Sequence, residues 1–265
     1  MSARVALSVK AGIARARLDR PDKRNALDLA MYRAIADAQK KLRADREVRV
    51  VIVEAAGEDF CSGLDVKSMM SDRRAMIRLL WKWSPWRANL AQQVSVGWRR
   101  LRVPVIAAIQ GRCWGGGLQI ALGTDFRIAH PAASLSVMEG KWGLIPDMGG
   151  TLALRELMPR DQAMRLAMTA ETLDAATAEE LGLVTSVSPD IDQAATQLAA
   201  ALCDRSPDAV AYVKRLYRKS WNGSEGAALA RETLYQWRVL AGENQRIAVR
   251  RQRGEDIPFR IGGGK

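Results

Sequence analysis

Apolar residues alternate with polar ones at Val5, Leu7 and Val9, and again at Ala14, Ala16 and Leu18 with Arg15 and Arg17 between them. A period of two marks strands with one face in a core, and Ala11-Gly12 supplies the turn of a hairpin. A polar loop from Asp19 to Asp28 follows, with Asn25 a candidate helix cap, and Leu27, Met31, Ile35, Ala38 and Leu42 then recur at helical spacing. The pattern changes again at Val50-Val51-Ile52-Val53, a continuous β-branched run expected of a strand covered on both faces. Val105 to Ile109 is a second such run, and both runs end in glycine-containing loops that lead into helices. Short strand-like pieces at 126–129, 134–137 and 184–187 and helices over 160–169 and 175–182 complete an α/β pattern up to residue 190. Beyond it the chain reads as helix over 190–204, 208–219 and 224–251, and the tail Gly262-Gly263-Gly264-Lys265 reads as frayed. An α/β core over 1–190 and a helical oligomerisation region over 191–265 are therefore expected.

With 265 residues, 48% of them hydrophobic, the chain can bury one large core. Its net charge of +12 suits an anionic partner, but no zinc finger, basic zipper or aromatic RNA-binding strand accompanies it. A basic solvated surface, and no nucleic-acid partner, is the expectation. Cys61, Cys113 and Cys203 are scattered, which supports neither a disulfide framework nor a zinc site, and His130 is the lone histidine. No apolar run reaches the roughly 18 residues of a membrane span, and the acid-free N-terminus fits the hairpin better than a transit peptide, so a cytoplasmic protein is expected. Between Arg73 and Arg102, Trp81, Trp83, Trp86 and Trp98 stand among Arg74, Arg78, Lys82, Arg87, Arg99 and Arg100. Such a segment can lie on a membrane or stack on bases; a helical cover whose aromatics fill the core or line an apolar channel is favoured by Leu79, Leu80, Trp83 and Leu90.

The candidate chemistry lies in the loops. Gly115-Gly116-Gly117 opens a helix, where free N–H groups carry the positive end of the dipole. A packing turn, a phosphate cradle and an oxyanion hole all use such a turn. Glu139 and Asp147 sit in a Gly- and Pro-broken loop among Met138, Trp142, Leu144 and Ile145, and carboxylates in apolar surroundings can act as general acids or bases.

Four stretches taken together resemble the crotonase, or enoyl-CoA hydratase/isomerase, family: Arg20 to Leu27, Phe60 to Val66, Gly111 to Asp125, and Glu139 through Gly143 to Thr151. The resemblance implies a spiral of ββα units with a C-terminal helical region for trimer or dimer-of-trimers assembly. It implies an acyl-CoA substrate and no cofactor beyond the coenzyme A of that thioester. By position it assigns the oxyanion hole to the backbone N–H groups of Leu64 and Gly116. Substrate contacts fall to Ala26, Ser62, Gly63, Leu64, Asp65, Val66 and Gly116. Of the two glutamates of the family's hydratases, one aligns with Glu139 and the other with Gln119, whose amide orients water but accepts no proton. Hydration with Glu139 as acid/base is the leading expectation. Asp147 falls where dienoyl-CoA isomerases carry an aspartate, so a Glu139/Asp147 isomerase is the alternative, and a crotonase-fold RNA- or membrane-binding protein a further one.

Overall fold

The structure, a computed structural model, describes residues 4–70 and 73–261; the glycine-rich tail from Gly262 to Lys265 lies outside them. The hairpin is present as β1 (Val5–Lys10) and β2 (Ile13–Leu18), paired antiparallel, with Ala14, Ala16 and Leu18 buried. Helix α1 (Leu29–Ala44) buries Met31, Ile35, Ala38 and Leu42 as its spacing predicts. Its cap is Asp28, not Asn25: the Met31 N–H donates to the Asp28 carboxylate at 2.7 Å. Asn25 instead sits fully buried in the left-handed region at φ 53°. Its side chain accepts from the Arg20 N–H and donates to the Ala56 and Asp59 carbonyls, tying this loop to the end of the following strand.

From β2 a parallel sheet continues through β3 (Val50–Ala55), β4 (Val105–Ile109), β6 (Phe126–Ala129) and β9 (Ser186–Val187). The β-branched runs alternate between two cores. Val51, Val53, Val105, Ala107 and Ile109 face the main core, while Val50, Ile52, Ile106, Ala108 and Ile128 face a second one completed by Ala195 and Ala199. The latter two belong to α9 (Ile191–Cys203), so the packed core continues past residue 190.

A smaller sheet joins β5 (Arg112–Trp114), β7 (Ser134–Ser136) and β8 (Leu173–Asp174). Strand β5 was not expected; three residues are too few to show a period, and they interrupt what reads as one strand-to-helix turn. An isolated bridge places Cys61 beside Cys113, which in turn pairs with Leu135. The chain thus repeats one unit: a strand in the large sheet, a short crossing in the small one, then a helix. β3 and Cys61 lead to α2 (Val66–Met70), β4 and β5 to α5 (Gly116–Leu122), and β6 and β7 to a 3-10 turn (Met138–Trp142) and α6 (Gly150–Leu157).

Between α2 and β4 stand α3 (Arg73–Leu80) and α4 (Leu90–Arg99), joined by a loop from which Ser84-Pro85 excludes helix. Asn89 and Gln92 form the capping box that starts α4. Of this segment's tryptophans only Trp98 fills the core; Trp81, Trp83 and Trp86 are exposed, which corrects the expectation that they fill the core. The remaining helices are α7 (Arg160–Thr169), α8 (Ala175–Glu180), α10 (Pro207–Ser220), α11 (Glu225–Leu240) and α12 (Glu243–Gln252). The last two replace one expected helix, because the chain breaks at Ala241-Gly242. Lys214 anchors α10: its Nζ lies 2.7 Å from Asp125 and donates to the carbonyls of Trp98 and Val103.

Candidate active site

The small sheet brings three loops to one place. Cys61, Cys113 and Leu135 stand in a row across it. Three residues beyond the first two come Leu64 and Gly116, and four beyond the third comes Glu139. Equivalent exits from successive repeats therefore converge, as loops at matching strand ends do in α/β folds.

The backbone of the two candidate donors is set by glycines that no other residue replaces. Gly63 adopts φ 92°, and a Cβ there would sit 3.0 Å from the Trp114 carbonyl and 3.6 Å from the Gly116 nitrogen. Gly115 adopts φ 51° with ψ −119°, which turns the chain out of β5 so that Gly116 becomes the first residue of α5. The parallel bridge between Leu27 and Leu64 uses the Gly63 carbonyl (2.8 Å) and the Asp65 N–H (3.1 Å). In such a bridge the N–H of Leu64 itself faces away from Leu27. The Gly116 N–H, in the first turn of its helix, has no intrahelical acceptor. Space above Gly116 is narrow, since an added Cβ would lie 2.8 Å from Leu27 and 2.9 Å from the Met148 sulfur.

The segments assigned to substrate contact are laced together. The Ser62 N–H donates to the Arg24 carbonyl at 3.0 Å, and Ala26 is buried with its carbonyl accepting from Arg20. Arg20 also reaches the Asp65 carboxylate at 2.8 Å. Partial burial works against that carboxylate, but the Ser68 N–H and the Arg20 charge outweigh it and hold Asp65 below the ordinary range. Val66 begins α2 directly after Asp65.

Gln119, buried on α5, crosses the site. Its Oε1 accepts from the N–H groups of Met148 (2.9 Å) and Gly150 (3.0 Å), which fixes the orientation of the amide. Its Nε2 therefore points the other way and donates to Glu139 Oε1 at 2.6 Å. The second carboxylate oxygen of Glu139, Oε2, is buried without a hydrogen-bond partner among the described residues. Burial pushes the Glu139 carboxyl above its ordinary value; the Gln119 bond opposes this, and Asp147 adds to it. Asp147 stands exposed at the rim, and the protein around it raises its own carboxyl. Two residues the sequence did not single out complete the floor. The Tyr32 hydroxyl donates to the Met148 sulfur at 3.5 Å, and burial together with Cys61, Asp147 and Glu139 pushes it above its ordinary range. Tyr32 sits within the apolar stripe of α1, where an aromatic residue reads as core.

Two N–H groups on neighbouring loops, one flanked by a glycine whose added Cβ would lie 3.5 Å from Glu139 Oε1, are the kind of donors that, if they converge, hold an oxygen gaining negative charge while a proton moves nearby. The protein is an acyl-CoA-processing enzyme built on the crotonase fold, and the kinship is explicit in sequence. Residues 8–244 match the enoyl-CoA hydratase/isomerase family, and the chain belongs to it. It is 32% identical over 236 residues to an enoyl-CoA hydratase, EchA19, of Mycobacterium tuberculosis, covering 88% of this chain and 87% of that one. It is 33% identical over 207 residues to a carnitinyl-CoA dehydratase of Salmonella typhi, covering 76% and 75%. A crystal structure of an enoyl-CoA hydratase from Bacillus anthracis superimposes with a TM-score of 0.88 at 26% identity, over 98% of this chain and 99% of that one. The enzyme is hydratase-like, and among the described residues no helix is long and apolar enough to cross a membrane.

Proposed function

We propose that this enzyme adds water across the double bond of a 2-enoyl-CoA, with Glu139 as its sole proton carrier. The Leu64 and Gly116 N–H groups hold the thioester oxygen as it takes enolate charge. Glu139 Oε2 removes a proton from water as the hydroxide adds to C3, then returns that proton to C2 as the enolate collapses. One proton leaves and the same proton returns, so a single carboxylate closes the cycle. The observation that carries this reading is the free Oε2 of a carboxylate whose other oxygen is held by Gln119. Gln119 has its oxygen occupied by two backbone donors, so it positions Glu139 and takes no proton.

The substrate contacts proposed for Ala26, Ser62, Gly63, Asp65 and Val66 accord with the two laced segments beside the donors. The exposed Tyr217, Trp221, Trp237 and Leu240 of the C-terminal helices support assembly into a trimer or a dimer of trimers. A cytoplasmic location and no cofactor beyond the substrate's coenzyme A complete the proposal.

Loss of enoyl absorbance with crotonyl-CoA and longer 2-enoyl-CoA substrates is the assay. Glu139→Gln is expected to lower kcat about 10²–10⁴-fold with little change in KM; a kcat within threefold of wild type on an accepted substrate sinks the mechanism. A second reading, isomerisation by a Glu139/Asp147 pair, draws on the electrostatic reach of Asp147 to Glu139. It requires Asp147→Asn to abolish proton transfer between carbons, whereas hydration predicts less than a tenfold loss.

A further inference from the structure

The loop between α3 and α4 exposes three tryptophans, none of which takes part in the contacts described for the candidate site. Trp81, Trp83 and Trp86 are 63%, 80% and 92% exposed, and Ile77 and Leu80 beside them are 64% and 48% exposed. Single exposed apolar residues are ordinary on a protein surface, but five within ten positions form a patch. The cations around it are equally one-sided. From Arg73 through Arg102 there are eight arginines and lysines and no carboxylate. Arg78, Lys82 and Arg87 are exposed among the tryptophans, and the Arg87 guanidinium lies over the Trp83 ring at 6.0 Å.

We propose that this loop is a peripheral anchor for an anionic lipid surface, with Trp81, Trp83 and Trp86 seated at headgroup level and Arg78, Lys82 and Arg87 on the lipid phosphates. Tryptophan is suited to that depth, having a large apolar ring and one N–H that stays in the wet layer. The aliphatic Ile77 and Leu80 favour lipid over nucleic acid, because they offer bases nothing to stack on. Charge disfavours a second copy of this face, since two such loops would meet with like sign. Among the described residues no helix is long and apolar enough to cross a membrane, which agrees with resting on a bilayer rather than crossing it.

The test is co-sedimentation of the full chain with vesicles of phosphatidylcholine alone and of equal parts phosphatidylcholine and phosphatidylglycerol. Binding is expected only to the anionic vesicles, with a blue shift in tryptophan emission and weakening as salt rises. Replacing all three exposed tryptophans by serine is expected to lower partitioning about tenfold or more with an unchanged melting temperature. Lys82→Gln with Arg87→Gln is expected to lower it about fivefold per charge. No binding to anionic vesicles at low salt overturns the proposal, as does equal binding by the triple serine variant. So does single-stranded RNA that displaces the protein from the vesicles through the same residues, or a triple variant whose only change is a smaller oligomer.

Discussion

Replacing Gln119 by glutamate keeps the shape of the side chain and inverts one contact. Oε1 still accepts from Met148 and Gly150, but the group facing Glu139 at 2.6 Å becomes a carboxylate oxygen instead of an N–H donor. With the charge centres ~4 Å apart and an effective dielectric near 20, two ionised carboxylates repel by about 4 kcal/mol. Gln119 is 1% exposed, so water does little to relieve that. Dividing by 1.36 kcal/mol per unit gives an upward shift of about three units for the second ionisation. A free glutamate titrates near 4.3, so the folded pair keeps one shared proton to about pH 7. Across that window the folded state binds a proton that the unfolded chain has lost, so stability falls as pH rises. Urea unfolding of the variant and the wild type at pH 5 and pH 8 measures this. The variant is expected to lose ~1 kcal/mol relative to wild type at pH 5 and ~4 kcal/mol at pH 8, with equal m values. The raised carboxyl of Glu139 in the wild type gives a slope of the same sign, so the comparison isolates the added charge. A pH-independent difference between the two proteins would refute the facing arrangement of residues 119 and 139.

At Gly116, alanine would place a methyl 2.8 Å from Leu27 and 2.9 Å from Met148 Sδ. The displaced N–H is expected to lower kcat/KM about 10²-fold, with ~1–3 kcal/mol of stability lost to overpacking; wild-type turnover by Gly116→Ala removes that N–H from the mechanism. Lys214→Met leaves Asp125 and the carbonyls of Trp98 and Val103 without their cation. Because Asp125 keeps partial solvent contact, the expected loss in thermal denaturation is about 2–3 kcal/mol rather than the full cost of a buried pair, and a change below ~0.5 kcal/mol denies Lys214 an anchoring role.

What the sequence disclosed depended on how locally each feature is decided. The Val50 to Val53 run and the stripe from Met31 to Leu42 were legible because burial repeats along them with a fixed period. Asn25 misled because capping is a local signal, while its actual bonds run to Ala56 and Asp59, more than thirty residues away. Strand β5 escaped because three residues carry no period, yet it is what places Cys113 between Cys61 and Leu135. The tryptophans from Trp81 to Trp86 were read as packing because composition does not tell an inward stripe from an outward loop; Ser84-Pro85 held the sign of the break. In the site, Gln119 was recognisable as an odd residue at a glutamate's position. Its grip on Met148 and Gly150, which decides which atom faces Glu139, depends on a helix absent from the expected pattern.

Helix α9 has a consequence for where this chain can be divided. The second face of the large sheet consists of Val50, Ile52, Ile106, Ala108 and Ile128, and Ala195 and Ala199 are what cover it. A graft taken at residue 190 would carry that apolar face bare and invite aggregation. The natural seam for recombination lies after Cys203, in the short turn before α10. A chimera that exchanges the distal helices there would keep its sheet dressed on both sides, though it must bring a cation of its own to the place of Lys214.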